Sequence, residues 1–219
     1  AVDSVAVCGG VVFAGADAGI YMLRGEKWGR AADASGVARL GCIEGRLYAA
    51  AESGFYVVPP EAPEHAERLY AEPVSAFAPW KGGFLITPAG KKGALHLLPG
   101  AGEPKPVSAF NRVTVHILAA DYDNRVWAAT GNGLASFRKN KLTYVPSVKG
   151  QPGPLSNSVR DIFPMPDGKS YFATPRGISV FKQGRWSHIR PGAGRLPYGD
   201  VTAVAVDGET IAAGFSIGA

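Results

Sequence analysis

Apolar residues in this chain fall in short runs, not at helical spacing, and the runs recur in a fixed order. Five times a glycine opens one: Gly19 in AGIYML, Gly54 in SGFYVV, Gly93 in KGALHLL, Gly133 in NGLASF and Gly177 in RGISVF, at spacings of 35, 39, 40 and 44 residues. Upstream of each lies a second run (VVFAGA, RLYAAA, GFLITP, RVWAAT, SYFATP), and upstream of that a third, opening with Val2, Val37, Val74, Val113 and Val159. A fourth, aromatic-bearing run closes four units as KWGRA, ERLYAE, KLTYVPS and RWSHIRP; the third unit closes less clearly, through KPVSAF. No unit sustains a spacing of three and four over the ten or more residues a helix requires.

Each unit therefore predicts four short strands joined by Gly, Asp or Asn turns, and four such strands every 40 residues or so define a propeller blade. A lone meander cannot cover both its faces, whereas stacked blades bury them against each other. Small residues in the second strand, Ala49 to Ala51 and Ala128-Ala129, suit close sheet-to-sheet approach. The expected fold class is all-β: a single β-propeller domain over 1–219, with blades near 1–36, 37–73, 74–112, 113–158 and 159–200 and half of a sixth over 201–219. That last unit opens at Val201, continues as TIAAGF and places Gly218 where the others have their turn glycine. The chain is expected to be a portion of a longer propeller, since a propeller normally completes its last blade.

Composition changes this picture little. The 29 Gly and 17 Pro answer to many tight turns, and 19% charged against 46% hydrophobic residues is globular. The net charge of +5 comes from singly scattered Lys and Arg interleaved with acids, so neither nucleic acid nor an anionic surface is indicated as partner. No stretch reaches the ~18 apolar residues of a membrane helix, and AVDSVAVCGG has no basic region followed by a long apolar core, so no signal peptide is read in it. Cys8 and Cys42 fall near the ends of the first strands of neighbouring units, where a bridge is conceivable. Neighbouring blades splay, however, and disulfide geometry needs close Cβ atoms, so buried free thiols are expected.

The stretch AADYDNRVWAATGNGLASFRKNKLTYV resembles the two-component-regulator propeller repeat, which runs as an Asp and turn, an apolar-Trp strand, Thr, a Gly-apolar pair and an aromatic. The next stretch is similar to the same repeat through Leu155, Ser156, Asn157, Val159, Asp167, Gly168, Thr174, Gly177, Phe181 and Trp186. The resemblance is good over 113–189 and weaker before it, poorest in the third unit. It implies a periplasmic or extracellular ligand-sensing or interaction domain of a signalling protein, and it carries over no catalytic residues.

The residues themselves point to no cofactor and no metal. His65, His96, His116 and His188 are widely separated and lie outside ligand spacing of a Cys or one another. The acidic turns at Asp121 to Asn124, Asp167-Gly168 and Asp207-Gly208 lack the order of a calcium loop and suit tight hairpins. There is no Gly-x-Ser-x-Gly elbow, and Gly15 to Gly19 precedes a strand where phosphate binding needs a helix N-terminus. Asp3, Arg160 and Asp161 could approach the axis as channel-lining ion pairs. Trp28, Tyr70, Tyr144 and Trp186 recur in fourth strands and are expected to pack the outer blade, not to form a carbohydrate platform.

The candidate binding surface is the face built from loops entering the first strands and loops joining second to third strands, since rigid strands hold loops that are free to vary. Its residues are Asp17, Asn111, Arg112, Asn132, Asn157, Arg160, Arg176, Tyr198 and Asp200, a mixture suited to a polar small ligand or a protein partner. The leading expectation is a non-enzymatic binding or interaction propeller, the sensor part of a signalling protein. Its rivals are a lyase or hydrolase with an axial site gathered from several blades, and a structural subunit whose open sixth blade another segment or chain completes by strand addition.

Overall fold

Alternating apolar side chains and two-residue turns leave each segment little choice but to pair with the next. The computed structural model describes residues 2–99, 102–192 and 196–216, so Gly218 lies outside the described residues. The chain is all-β and forms two compact units, residues 1–107 and 108–219.

The first unit holds three four-stranded antiparallel sheets. Blade one comprises β1 (Val2–Cys8), β2 (Val11–Ala16), β3 (Gly19–Arg24) and β4 (Lys27–Ala32). Blade two comprises β5 (Val37–Ile43), β6 (Arg46–Ala51), β7 (Gly54–Val58) and β8 (Glu67–Tyr70), with a 3-10 turn at Pro63–His65. Blade three comprises β9 (Val74–Trp80), β10 (Gly83–Pro88), β11 (Leu95–Leu97) and β12 (Lys105–Pro106). Its last two strands shrink to three and two residues. Only the first two residues of KPVSAF form strand, and Ser108–Phe110 is a 3-10 turn.

The second unit holds β13 (Val115–Ala120), β14 (Val126–Thr130), β15 (Gly133–Arg138) and β16 (Lys141–Tyr144) as blade four. Blade five is β17 (Asp161–Pro164), β18 (Lys169–Thr174), β19 (Gly177–Lys182) and β20 (Arg185–Ile189). A two-stranded sheet of β21 (Val201–Asp207) and β22 (Thr210–Phe215) follows.

The recurring turn glycine has a steric cause. At Gly54 and Gly177 the backbone sits at φ +136° and +117°, and a Cβ would run into the carbonyl oxygens of Tyr70 and Ile189 at the end of the fourth strand. The recurring valine has another. Val2, Val37, Val74, Val115 and Val201 all pair with the last residue of the second strand, one step before a bulge. The fourth blade thus opens at Val115, two residues later than the repeat alone indicates, because Val113 is held in a turn by its N–H bond to the Phe110 carbonyl at 3.0 Å.

Within each unit consecutive blades pack by one rule. The opening valine and the apolar residue three places on seat against a small residue and an aromatic in the preceding second strand. Gly15 lies under Val37 and Leu40, so tightly that a Cβ there would overlap Val37. Ala50 and Tyr48 meet Val74 and Phe77. Trp127 and Ala129 meet Ile162, and Tyr171 and Ala173 meet Val201 and Val204. Burying each such side chain is worth about 1.5–3 kcal/mol.

The expectation of free thiols is corrected: Cys8 and Cys42 form a disulfide with Cα atoms 5.3 Å apart, and no described cysteine is free. Blades splay at their outer strands, but first strands converge. Leu40 N–H donates to Ser4 Oγ at 2.9 Å, which brings β1 and β5 within bridging distance. The outer-blade packing expected of the fourth-strand aromatics holds for Trp186, which meets Trp127, Phe172 and Phe181, and for partly buried Tyr70. It fails for Trp28 and Tyr144, which are 52% and 39% exposed.

Candidate functional site

The loop face is built by the same repeated chemistry that ends each second strand. In blade four, Thr130 donates its hydroxyl to the Gly133 carbonyl (2.8 Å) and accepts from Asn132 N–H (3.1 Å). Blade five repeats both bonds with Thr174, Gly177 and Arg176, at 2.7 and 3.2 Å. Both threonines are buried, so they shape the turn and leave the side chains of Asn132 and Arg176 to project. The loop entering blade five is held as firmly: Asn157 Oδ1 accepts from Ser147 N–H at 2.7 Å, and Leu155 N–H donates to Ser179 Oγ at 2.8 Å.

These restraints gather the sequence-predicted residues into two groups in the second unit. Asn157 lies beside Gly133, its Cβ 3.5 Å from where a Cβ on that glycine would stand, and so next to Asn132. At the junction of blade five with the two-stranded sheet, Arg160 and Asp200 form an ion pair at 2.7 Å, about a third exposed on each side. Gly199 packs over the Pro175–Arg176 backbone there, and Tyr198, 57% exposed, sets its ring edge-on to Phe215 with centroids 6.0 Å apart. Arg160, Arg176, Tyr198 and Asp200 therefore share one corner.

Asn111 and Arg112 lie elsewhere, in the exposed turn that follows Ser108–Phe110, with Arg112 at φ +66°. Asp17 belongs to the first unit, where its carbonyl accepts from Gly36 N–H at 2.9 Å. Of the inner-strand acids, Asp161 is a connector: its carboxylate accepts from Ile162 N–H at 2.9 Å and from Val204 N–H at 3.0 Å in the next sheet. Asp121 similarly organises its own turn, accepting from the N–H groups of Asp123 and Arg125 and from the Trp127 indole.

One set of positions escaped the sequence reading. The residue after each opening valine sits in the bulge, and bulges re-aim side chains. In the second unit that residue is His116 in blade four and Thr202 in the last sheet. Aligning the fourth unit on Val115 instead of Val113 makes the series visible.

Perturbed ionisation lies away from this corner. Burial, and then the charge of Arg190, holds His188 below the usual imidazole range, while Lys169 hydrogen-bonds Asp167 and holds its carboxyl low. A groove of about 320 Å³ in the first unit is lined by residues of β3 and β4, among them Arg24, Lys27, Trp28 and Arg30, together with Pro63 and Glu64. Among the described residues no group of three or more His, Cys, Asp or Glu side chains is arranged to hold a metal, and no helix is long and apolar enough to cross a membrane.

No family model matches the chain, and no characterised protein matches it by sequence. By structure it is similar to the extracellular domain of a hybrid two-component system from B. thetaiotaomicron, at TM-score 0.62 and 14% identity, covering 98% of this chain and 37% of that one. It is also similar to a protein of unknown function from Bacteroides thetaiotaomicron (TM-score 0.69, 12% identity, 95% and 64% covered). A third likeness is to a catalytically inactive virginiamycin B lyase from Staphylococcus aureus with quinupristin (TM-score 0.64, 12% identity, 97% and 77% covered). The chain spans little more than a third of the two-component domain's length. At such identities these likenesses show the fold alone, an all-β propeller of four-stranded blades.

Proposed function

We propose that this chain is a non-enzymatic recognition domain, the ligand-sensing part of an exported signalling protein, and that a polar small molecule binds at the corner formed by Arg160, Arg176, Tyr198 and Asp200. The observation that supports the reading is that the Arg160–Asp200 ion pair stands beside the backbone of Arg176, whose turn buried Thr174 closes, with exposed Tyr198 two residues from Asp200. A guanidinium, a carboxylate and an exposed phenol ring offer donors, acceptors and an apolar edge on a rigid frame. The partly exposed Arg160–Asp200 pair is weak enough to exchange partners with a ligand, since such pairs are worth only about 0–1 kcal/mol.

Export is favoured by the Cys8–Cys42 bridge, which persists in oxidising compartments, and by the extracellular origin of the two-component domain of like fold. The lyase of like fold motivates the enzymatic rival, but here the nearest inner-strand carboxylate, Asp161, is spent on two backbone N–H groups.

The test is calorimetric titration of the purified chain with a panel of saccharides, carboxylic acids and amino acids. Saturable binding that Arg160→Ala and Tyr198→Ala each weaken tenfold or more is the expected result. Binding indifferent to both variants, or turnover of any panel member, overturns the reading.

A further inference from the structure

The groove of about 320 Å³ lies at the junction of blades one and two and is lined by first-unit residues alone. Its floor is a missing side chain. The register of β3 with β4 sets Met22 opposite Gly29 and Arg24 opposite Lys27, so these four share one face. Met22 is buried in the core that joins the two blades, which turns that face toward blade two. At the matching places in blades four and five the fourth strand carries Thr143 and Ser187. Gly29 leaves the space open, and a Cβ there would meet no atom within 4 Å. The facing wall is fixed. Pro63 is buried, and the N–H groups of His65 and Ala66 donate to the carbonyls of Ala62 and Pro63 at 3.0 and 3.2 Å, which holds Glu64 at the groove's edge.

Charge decides what this space accepts. Arg24 and Lys27 stand directly across the ladder from each other, and like charges so placed repel. Among the described residues no acid offsets them: neither Glu26, in the turn between them, nor Glu64, across the groove, forms an ion pair with either. Arg30 also lines the groove but is committed, to Asp33 at 2.8 Å and to the Ala18 carbonyl at 2.7 Å. The equivalent cations of blade five, Lys182 and Arg185, are relieved by Asp167, 3.4 Å from Lys182 Nζ. Blade four opposes Arg138 and Lys141 in the same way, but beside them stands Thr143 where blade one has only Gly29.

We infer that the groove is a second binding site, separate from the corner at Arg160, for a small molecule with a carboxylate or phosphate monoester at one end and hydroxyl groups at the other. Arg24 and Lys27 hold the anionic end through charge-assisted hydrogen bonds. Glu64 accepts hydrogen bonds from the hydroxyls and repels a second anionic group. The volume stands at the lower end for small-ligand pockets, which suits a body of monosaccharide size.

Calorimetric titration of the whole chain with glucose 6-phosphate, glucuronate, glucose and inorganic phosphate tests this, at low ionic strength because salt screens exposed charges. Saturable binding of at least one sugar anion is expected, with glucose and inorganic phosphate at least tenfold weaker; the tighter of the two sugar anions assigns the anionic group. Arg24→Gln and Lys27→Gln are each expected to weaken that binding at least tenfold. Gly29→Leu fills the floor without altering a charge and is expected to abolish it. Arg138→Gln combined with Lys141→Gln removes the matching pair of blade four and is expected to bind as the parent does. Near-ultraviolet circular dichroism confirms that each variant is folded. The inference is overturned if neither sugar anion binds, if Gly29→Leu leaves binding intact, or if the blade-four variant loses as much as the blade-one variants. Glucose or inorganic phosphate bound as tightly as the sugar anions overturns it as well.

Discussion

The junction of blades one and two and the junction of blade five with the two-stranded sheet use one bond in two ways. In the first, Ser4 Oγ accepts from Leu40 N–H; in the second, Asp161 Oδ2 accepts from Val204 N–H. Ser4 and Asp161 each stand two residues after an opening valine, and Leu40 and Val204 each stand three after the next. Around that shared bond the junctions diverge. The first adds a disulfide and a glycine pressed under Val37. The second adds the Arg160–Asp200 pair and the Tyr198–Phe215 contact, both partly open to solvent. Where covalent and apolar forces close a junction it serves stability. Where polar groups close it, part of the pair stays open to solvent.

The sharpest way to break the comparison is to remove the bridge. Replacing Cys8 and Cys42 together by serine frees a loop whose ends are 34 residues apart, and chain entropy puts the loss at roughly 4 kcal/mol, to be measured by denaturant unfolding. An unchanged midpoint would mean that packing alone holds that junction. Gly15→Val at the same place forces a side chain into Val37 and Leu40, and overpacking of this sort costs about 1–3 kcal/mol. On the polar side, Asp161→Ala leaves the Ile162 and Val204 N–H groups without their acceptor, for a loss of about 1–3 kcal/mol. Arg160→Ala, by contrast, should lower stability by less than about 1 kcal/mol while weakening the proposed ligand binding tenfold or more; a large loss of stability would make that pair structural.

The smallest effect belongs to His188. Its folded-state ionisation is held below the ordinary value near 6.5, so the unfolded chain takes up the proton first as pH falls. The stability it contributes is present above that ordinary value and is lost on acidification through it. His188→Gln should flatten this part of a melting-temperature profile taken between pH 7 and pH 5, and an unaltered slope would assign the acid sensitivity to other groups.

Blade five shows how much of the fold is legible in residues alone. Its Thr174, Gly177, Phe181 and Trp186 are a turn former, a position where a Cβ meets a carbonyl, and two members of one aromatic cluster, so each letter of the repeat answers to a local cause. Blade three shows the opposite. Gly93 marks the repeat, yet no atom lies within 4 Å of where its Cβ would be, and the strand starts only at Leu95. The candidate site is half legible: the loops of Arg160, Arg176, Tyr198 and Asp200 single them out, but nothing in their spacing joins them. Asn111 and Arg112 satisfy the same loop criterion and fall elsewhere.

The sequence by itself determined strand, turn and repeat, because these depend on neighbours a few residues away: alternation, a glycine at positive φ, a threonine that closes its own turn. Tertiary structure alone decided which blades meet through sulfur and which through charge, that Val115 and not Val113 opens blade four, and that Trp28 stays in solvent. The junctions depend on distances between residues 34 to 43 positions apart, and short-range patterning carries no information about them until the sheets have packed.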